Sequence, residues 1–434
     1  MGINRLLCLK TIKNNKNFRK TIYTMKINLL TLVFLYPMLV IAQNNNAPSS
    51  YDPHDIKITG YLQTQFQQTQ TPGISSFSGG DFSENSDNRF IIRRGRLKID
   101  RVDQYSSIVF QVDATQNGVN LMDAFIQLYH PNYKQVKLTA GLFNRPFGYS
   151  IVYSSGFRDF PERARVFQTL MPRERDIGAM VTYHPVKEFK FITVDLAMIN
   201  GSGLFARDYD SKKDLVGNIS FKFDSLANKK FHIGFGASFY KGTVRNDTEN
   251  YYAGSEDGFT KNTAPQNEGH NFKRNYFGGN IQLQYDHPFG TTSLKAEYIA
   301  GTQPGIAASS TITGPLASTS FSTQPATDLY LRDFTGYYIW FTQQILKTKF
   351  GVLAAYDVYD PNSKISEQEI GLANNTTAGD IRFSTFGYGI NYHFNPRVKF
   401  TLYNERVVNA STQLTGYEND IKDDVFTARI QYRW

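Results

Sequence analysis

The chain of 434 residues is long enough for two or three soluble domains or for one large β-barrel. Aromatic residues make up 15% of it and Gly is common, a composition that favours an all-β protein. The formal charge of +9 does not indicate a nucleic-acid partner, because seven of the 47 basic residues and none of the 38 acidic ones lie in residues 1–42, which also hold the single cysteine, Cys8.

Residues 1–42 have the features of a secretory signal peptide. Lys26 precedes a mostly apolar run that ends in a small residue, Ala42. The alternative, a membrane anchor, is disfavoured because the run is shorter than the roughly 20 residues that a spanning helix needs, and Pro37 interrupts it. The basic stretch ahead of Met25 is unusually long, so our hypothesis is that translation starts at Met25.

Residues 43–55 are predicted to be a flexible N-terminal segment, and residues 56–434 to form one domain of alternating strands. The last strand is the clearest, because apolar Phe426 and Ile430 alternate with polar Thr427 and Arg429. A period of two with one apolar face predicts a strand with one side in an apolar medium. Sixteen such strands are predicted: 56–70, 89–102, 106–116, 120–130, 135–143, 176–184, 189–200, 213–224, 230–242, 271–286, 291–301, 329–346, 348–360, 380–394, 397–408 and 421–434.

The connections between these strands alternate in length. Those after even-numbered strands are short turns, and those after odd-numbered strands are mostly long, with the short connection at 117–119 as the exception. Short turns on one side and long loops on the other are typical of transmembrane outer-membrane β-barrels. The long connections are 71–88, 144–175, 201–212, 243–270, 302–328, 361–379 and 409–420. The sequence therefore predicts an all-β, antiparallel barrel with long extracellular loops and short periplasmic turns.

The final strand ends on an aromatic residue and resembles the C-terminal signal by which outer-membrane barrels are recognised for assembly. The alternative is that Trp434 only anchors the strand at the membrane interface, and the two roles are compatible. The barrel assembly machinery and outer-membrane lipids are expected partners. The residues assigned to this signal are Phe426, Ile430, Tyr432 and Trp434.

The second predicted strand carries a row of cations. Because Leu97 and Ile99 share the lipid-facing side, Arg94, Arg96 and Lys98 share the lumen, about 7 Å apart by strand geometry. Such a row is suited to guiding anions. The alternative is an ordinary solvated polar wall, because charges are common in barrel lumens.

The connection 144–175 is rich in arginine and also in Pro and Gly, which suit a compact loop. Arginine offers paired donors to phosphate or carboxylate groups. We expect this segment to fold inward as a charged constriction; the alternative is an external loop whose arginines pair with its own acids or with lipopolysaccharide phosphates. The arginines assigned to the anion path are Arg145, Arg158, Arg163, Arg165, Arg173 and Arg175.

Enzymatic signals are poor. The sequence contains no G-x-S-x-G, H-E-x-x-H or P-loop motif, and its seven His are scattered. We expect no catalytic residues, metal site or cofactor.

Taken together, the sequence resembles the phosphate-selective porin O and P family over nearly the whole mature chain. The most specific part runs from the Arg93-Arg94-Gly95-Arg96 segment through Gly141–Gly148 and Glu162-Arg163 to Arg173–Gly178. The resemblance implies a sixteen-stranded homotrimer in the Gram-negative outer membrane whose third long loop enters the channel and whose arginines and lysines guide anions.

Three functions remain open at this point. The first is passive diffusion of small anions such as phosphate or pyrophosphate. The second is a general or differently selective porin of the same fold. The third is a plugged barrel with an adhesion or lipid-handling role.

Overall fold

The computed structural model describes residues 56–133, 135–185, 188–204, 208, 210–228, 230–310 and 327–434. The expected signal peptide, 1–42, and flexible segment, 43–55, lie outside the described residues. No helix within these ranges is long and apolar enough to cross a membrane.

The helical elements are the α-helix α1 (Arg165–Leu170) and the 3-10 turns Pro265–Asn267, Glu367–Glu369 and Ala378–Asp380. The strands are β1 (Ile56–Thr69), β2 (Asn88–Val102), β3 (Ser106–Thr115), β4 (Gly118–Tyr129), β5 (Val136–Asn144), β6 (Arg175–Tyr183), β7 (Ile192–Ile199), β8 (Asp214–Leu226), β9 (Phe231–Arg245), β10 (Asn250–Ser255), β11 (Gly258–Thr263), β12 (Asn271–His287), β13 (Gly290–Gly305), β14 (Leu329–Gln344), β15 (Phe350–Asp360), β16 (Phe383–His393), β17 (Val398–Asn409) and β18 (Val425–Arg433).

Sixteen of these strands close into an antiparallel barrel, which confirms the predicted architecture. Each strand pairs with its neighbour in the chain, except that β9 pairs directly with β12. Strand β1 closes the ring by pairing with both β2 and β18. The other two strands, β10 and β11, form a hairpin within the connection between β9 and β12. A closed sheet has no unpaired edge, so all of its backbone groups are satisfied within a bilayer.

The two faces of the wall differ as the alternation predicts. In β18, Phe426 and Ile430 are exposed on the outer surface, whereas Thr427, Arg429 and Gln431 are buried on the lumenal side. Apolar side chains face outward because lipid is their solvent there, and polar side chains face inward where they find hydrogen-bond partners.

The connection 243–270, which we expected to be a loop, contains the hairpin β10–β11. Strand β10 pairs in parallel with the start of β14, and Tyr252 stacks on Tyr330 with ring centroids 4.2 Å apart. Each hairpin strand has only six residues, too few for a clear period of two. The structure of the β10–β11 hairpin is therefore determined by packing against β14 and not by the local sequence pattern.

The connection between β5 and β6 packs against lumenal side chains of the barrel wall. We call residues 145–174 the inward segment. Its Phe160 lies between Trp340 of β14 and Tyr403 of β17, with ring centroids 5.1 and 5.8 Å away. Its Phe167, on α1, meets Tyr338 edge-on at 5.9 Å. The main buried hydrophobic cluster thus lies inside the barrel, between the inward segment and the wall.

Candidate functional site: the charged lumen

One end of the inward segment is anchored on Glu297 of β13. The Glu297 carboxylate accepts hydrogen bonds from the backbone N–H groups of Tyr149 and Ser150, at 3.1 and 2.9 Å, and from the Tyr338 hydroxyl at 3.1 Å. Gly148 makes this approach possible, because its φ is +58° and a Cβ there would collide with the carboxylate. The turn before Tyr149 therefore needs glycine.

The middle of the inward segment is anchored on the opposite wall. The Tyr61 hydroxyl lies 2.6 Å from the Ser155 hydroxyl, and the Gln63 amide donates to the Ser155 carbonyl at 3.1 Å. The Gln431 amide donates to the Gly156 carbonyl at 2.9 Å. Because β13 contacts one end and β1 and β18 contact the middle, the segment crosses the lumen.

A β-bulge in β2 increases the number of lumenal arginines. The β1–β2 register shifts between Gln63 and Thr64, so that Arg93 has no direct partner in β1. A bulge turns an extra side chain toward the face that its neighbour occupies. As a result, Arg93 and Arg94 both reach the same lumenal carboxylate, at Nε–Oε1 2.9 Å and Nη2–Oε2 2.6 Å.

That carboxylate belongs to Glu162 of the inward segment. It also accepts from Arg429 of β18 at 2.8 Å, so three guanidinium groups from two strands meet one buried acid. Burial alone would raise the pKa of Glu162, but the arginines, Arg93 first, hold it well below its usual range. Glu162 is therefore the centre of a cluster of three arginines, of which Arg94 belongs to the predicted row of cations.

A second cluster lies beside the first and is organised by Glu174. This carboxylate pairs with Arg163 and, at 2.7 Å, with Arg175, which also bonds Asp123 of β4 at 2.9 Å. Burial opposes ionisation of Glu174, yet the neighbouring arginines lower its pKa. Arg96 pairs with Asp113 of β3 at 3.3 Å. The predicted path residues Arg94, Arg96, Arg163 and Arg175 are thus brought together, each already paired with an acid.

Arg158 is the exception in this cluster. Its side chain is buried, with the residue only 2% exposed, and none of its three guanidinium nitrogens has a hydrogen-bond acceptor among the described residues. Burial, followed by the neighbouring charges of Arg163 and Arg94, lowers the pKa of Arg158 well below its ordinary value. Burying a cation without hydrogen-bond acceptors costs free energy. An anion bound at this position would offset that cost.

A cavity of about 490 Å³ opens beside these groups, and we call it the arginine cleft. It lies between β2–β4 and the inward segment. Its charged lining consists of Arg93, Arg94, Arg96, Arg163, Arg173, Asp113, Glu162 and Glu174.

The other predicted path residues lie elsewhere. Arg145 is fully buried and pairs with Asp176 at 2.9 Å, a structural contact at the start of the inward segment. Lys98 pairs with Asp100 on its own strand at 2.7 Å. Arg165 stacks 3.6 Å from the ring centroid of Phe383, in a second cleft.

The charged lining of this second, acidic cleft consists of Asp357, Glu405, Asp423, Arg163 and Arg165, and the cleft has room for about one water, about 20 Å³. Oε2 of Glu405 and Oδ1 of Asp423 are buried without a hydrogen-bond donor in the described chain. Burial raises the pKa of Asp423 to about 7, although Arg165 opposes the shift. The cleft has more acids than bases, the reverse of the arginine cleft.

Sequence reasoning missed three features of this lumen. The role of Arg93 depends on a bulge, and the joint pairing of Glu162 with Arg94 and Arg429 depends on barrel closure. Asp423 falls within the predicted last strand, 421–434, but lies in the loop before β18, where alternation gives no direction for a side chain. Arg429 was assigned to the lumen by alternation, but no local pattern indicated its partner.

The proposed assembly residues line the outer surface of the closing strand. Phe426, Ile430, Tyr432 and Trp434 are all exposed there. The backbone N–H of Trp434 donates to the Gly60 carbonyl at 3.1 Å, and a Cβ at Gly60 would collide with the Trp434 ring. The assembly signal itself stays a prediction.

Within the described ranges, no group of three or more His, Cys, Asp or Glu residues is arranged to hold a metal ion.

Comparisons with known proteins agree with this architecture. The chain is similar to Pseudomonas putida OprB, from a structure at high pH, with 8% identity and a TM-score of 0.59 over 87% of this chain and 94% of that one. It is similar to the outer membrane channel DcaP of Acinetobacter baumannii, with 10% identity and a TM-score of 0.52 over 88% and 97% of the two chains. These identities support a shared fold alone. No curated protein matches the chain.

The family is established by sequence. The profile of the family described as phosphate-selective porin O and P matches residues 73–434, most of the chain. The match includes β2, the inward segment and the closing strand. The chain therefore belongs to the phosphate-selective porin O and P family and is an outer-membrane porin of a Gram-negative bacterium.

Proposed function

We propose that the protein lets small anions diffuse passively through the arginine cleft. The observation that carries this proposal is Arg158, which is not part of the cleft lining but is an electrostatic neighbour of the lining residues Arg94 and Arg163. It is a buried guanidinium with no acceptor among the described residues. In the group of paired residues to which we assign it, and counting Arg158 itself, cations outnumber acids by seven to four. The cations are Arg93, Arg94, Arg96, Arg158, Arg163, Arg175 and Arg429, and the acids are Asp113, Asp123, Glu162 and Glu174.

Fixed acids beside these cations favour transport over trapping. Positive groups in a narrow, low-dielectric passage attract anions more strongly than the same groups in water. An ion must also leave, so sites of moderate strength support conduction better than one tight site. Glu162 and Glu174 compete with a passing anion for the same guanidinium groups, which keeps its binding weak.

Phosphate and pyrophosphate are the substrates that we propose within this class. Their oxygens match the paired donors of a guanidinium group, and Arg158, Arg163 and Arg94 are electrostatically coupled neighbours. Assembly of three copies is part of the same proposal and rests on family membership. Recognition of the last strand by the barrel assembly machinery is also part of it and rests on the alternating, aromatic end of that strand.

A general porin of the same fold is the second candidate. The acidic cleft favours it, because its carboxyl groups Asp357, Glu405 and Asp423 outnumber its arginines, and each carboxyl group that ionises weakens a strict preference for anions. A plugged barrel with an adhesion or lipid-handling role is the third, favoured by the tight packing of Phe160 and Phe167 against the wall. Entry of small solutes into liposomes carrying the protein would exclude the plugged form.

The test of anion passage replaces Arg158 with Gln. Since the guanidinium makes no hydrogen bond that the change would break, we expect an intact barrel. We expect the reversal potential in a salt gradient to shift toward cations and block of chloride current by phosphate to weaken. The matched control is Arg397→Gln, which removes an exposed charge from a short turn. Unchanged selectivity and unchanged phosphate block in R158Q would refute the proposal.

A further inference from the structure

The outer wall carries a cluster of cations on β9 and β12. In the β9–β12 register, Lys241 is opposite Asn275 and Lys273 is opposite Thr243, so the two lysines are diagonal neighbours. Both are exposed, while residues of the opposite parity on the same two strands face the lumen and are buried. These lumenal neighbours are Tyr240, Arg274 and Tyr276. The lysine side chains therefore point away from the channel.

The height of the lysines on the wall can be derived from the same register. Phe231 is opposite Tyr285 at the other end of this strand pair, ten residues before Lys241. Ten residues at about 3.4 Å each, tilted by about 40°, rise about 26 Å along the barrel axis. The apolar band of such barrels is about 25 Å tall. If Phe231 marks the inner edge of the band, Lys241 stands at the outer edge.

The surface just below the lysines is apolar. Phe239 and Phe277 are directly opposite each other in the register, and they are 37% and 60% exposed on the outer wall. Leu215 of β8, directly opposite Lys241 in the register, is also exposed. A cationic pair above an apolar surface is complementary to a lipid that carries phosphate above its acyl chains.

The charges of this cluster are not balanced within the described chain. Neither Lys241 nor Lys273 forms an ion pair in the described part, and Arg245, one step further along β9, pairs only with Asp247 at 3.0 Å. Adjacent like charges on one face of a sheet are destabilising unless a counter-charge joins them. The wall therefore has an unmatched positive charge where phosphate groups of the outer leaflet lie.

We propose that Lys241, Lys273 and Arg245 bind the phosphate groups of a phosphorylated outer-leaflet lipid, with its acyl chains lying over Phe239 and Phe277. This inference is independent of the proposed anion passage, because the side chains face lipid and not the lumen. It assigns to the β9–β12 wall a resident lipid rather than a diffusing solute.

The test uses the full-length protein in detergent and native mass spectrometry with lipid A as the probe. We expect one bound bisphosphorylated lipid A, and at least about tenfold weaker binding of it to Lys241→Gln/Lys273→Gln. The control Lys222→Gln/Lys347→Gln removes two exposed charges far from the cluster and should bind like the wild type. Dephosphorylated lipid A should bind the wild type as weakly as it binds the variant.

Three results would overturn the proposal. The first is equal binding of lipid A to the wild type and the double variant. The second is displacement of the lipid by millimolar inorganic phosphate, which would indicate a site for the free ion. The third is a changed reversal potential in the double variant, which would put the lysines on the ion path. An unchanged reversal potential together with lost lipid binding supports the lipid site and leaves the anion proposal to its own test.

Discussion

The arginine cleft and the acidic cleft lie on two sides of the same stretch of the inward segment, and both include Arg163 and Phe77 in their linings. Their compositions are reversed: arginines outnumber acids in the first cleft, and acids outnumber arginines in the second. On the arginine side, the segment supplies Glu162 to arginines of the wall. On the acidic side, it supplies Arg165 to wall and loop carboxylates, only three residues later in the chain.

This difference indicates how the inward segment is held. Glu162 meets arginines of the wall and Arg165 lies near carboxylates of the wall and the loop, so a shift of the segment would separate charges on both sides at once. Separating a buried pair costs more free energy than forming it returns, because each partner is left unpaired in a low-dielectric medium. The charge pattern therefore specifies the position of the segment more strongly than it stabilises the barrel.

The largest expected effect comes from removing the centre of the arginine side. Glu162→Gln leaves Arg93, Arg94 and Arg429 without their shared counter-charge, and we expect a loss of about 3–5 kcal/mol in the free energy of unfolding. The temperature at which the folded gel band disappears should fall, and anion selectivity should rise. Glu367→Gln, which breaks a partly exposed pair with Arg382, should cost about 0–1 kcal/mol. Equal loss in both variants would contradict the proposed role of Glu162.

The second prediction separates charge from backbone anchoring. Gly148→Ala forces a side chain into a positive φ and into the Glu297 carboxylate, at a cost of about 1–3 kcal/mol. We expect the start of the inward segment to loosen, with faster proteolysis near Tyr149 and noisier single-channel current. The matched control is Gly279→Ala, whose nearest neighbouring atom is 3.9 Å from the added Cβ. If both variants are cleaved at the same rate, the anchor on Glu297 is not what holds the segment.

The smallest expected effect is on the pH dependence of stability, which has opposite signs for Glu162 on the arginine side and Asp423 on the acidic side. Because the folded pKa of Glu162 is depressed, its stabilisation is present above about pH 4.3 and is lost as the pH falls. The folded pKa of Asp423 is raised to about 7, so between about pH 4 and 7 the folded chain holds a proton that the unfolded chain releases. The stability contribution of Asp423 therefore declines as the pH rises through this window.

The measurement is the unfolding temperature of wild type and Asp423→Asn at pH 4, 6 and 8. The variant should match the wild type at pH 4 and exceed it at pH 8, because Asn keeps the neutral form at every pH. Asp257→Asn, at an exposed turn, should follow the wild type throughout. A constant difference between D423N and wild type across this range would show that Asp423 does not titrate as described.

The barrel could be predicted from sequence because the pattern that indicates each strand involves only residues close together in the chain. Alternation in β18, with Ile430 outward and Arg429 inward, needs only the neighbouring residues and an apolar solvent. The lumenal contacts could not be predicted in the same way. Glu162 meets Arg94 and Arg429, residues 68 and 267 positions away, and only the closed barrel brings those strands together.

The pairing of Glu162 also has a consequence for how the barrel forms. Arg94 lies on β2 and Arg429 on β18, so the carboxylate bridges the seam where β1 meets the last strand. Joining these distant strands requires closing nearly the whole chain into a ring, an entropic cost that no local contact offsets. The charge contact forms only when both sides of the seam and the inward segment are in place. Placement of the inward segment in the lumen and closure of the barrel between β1 and β18 thus become one cooperative step. A barrel without the inward segment in its lumen would have a weaker seam, which would open toward the lipid more readily.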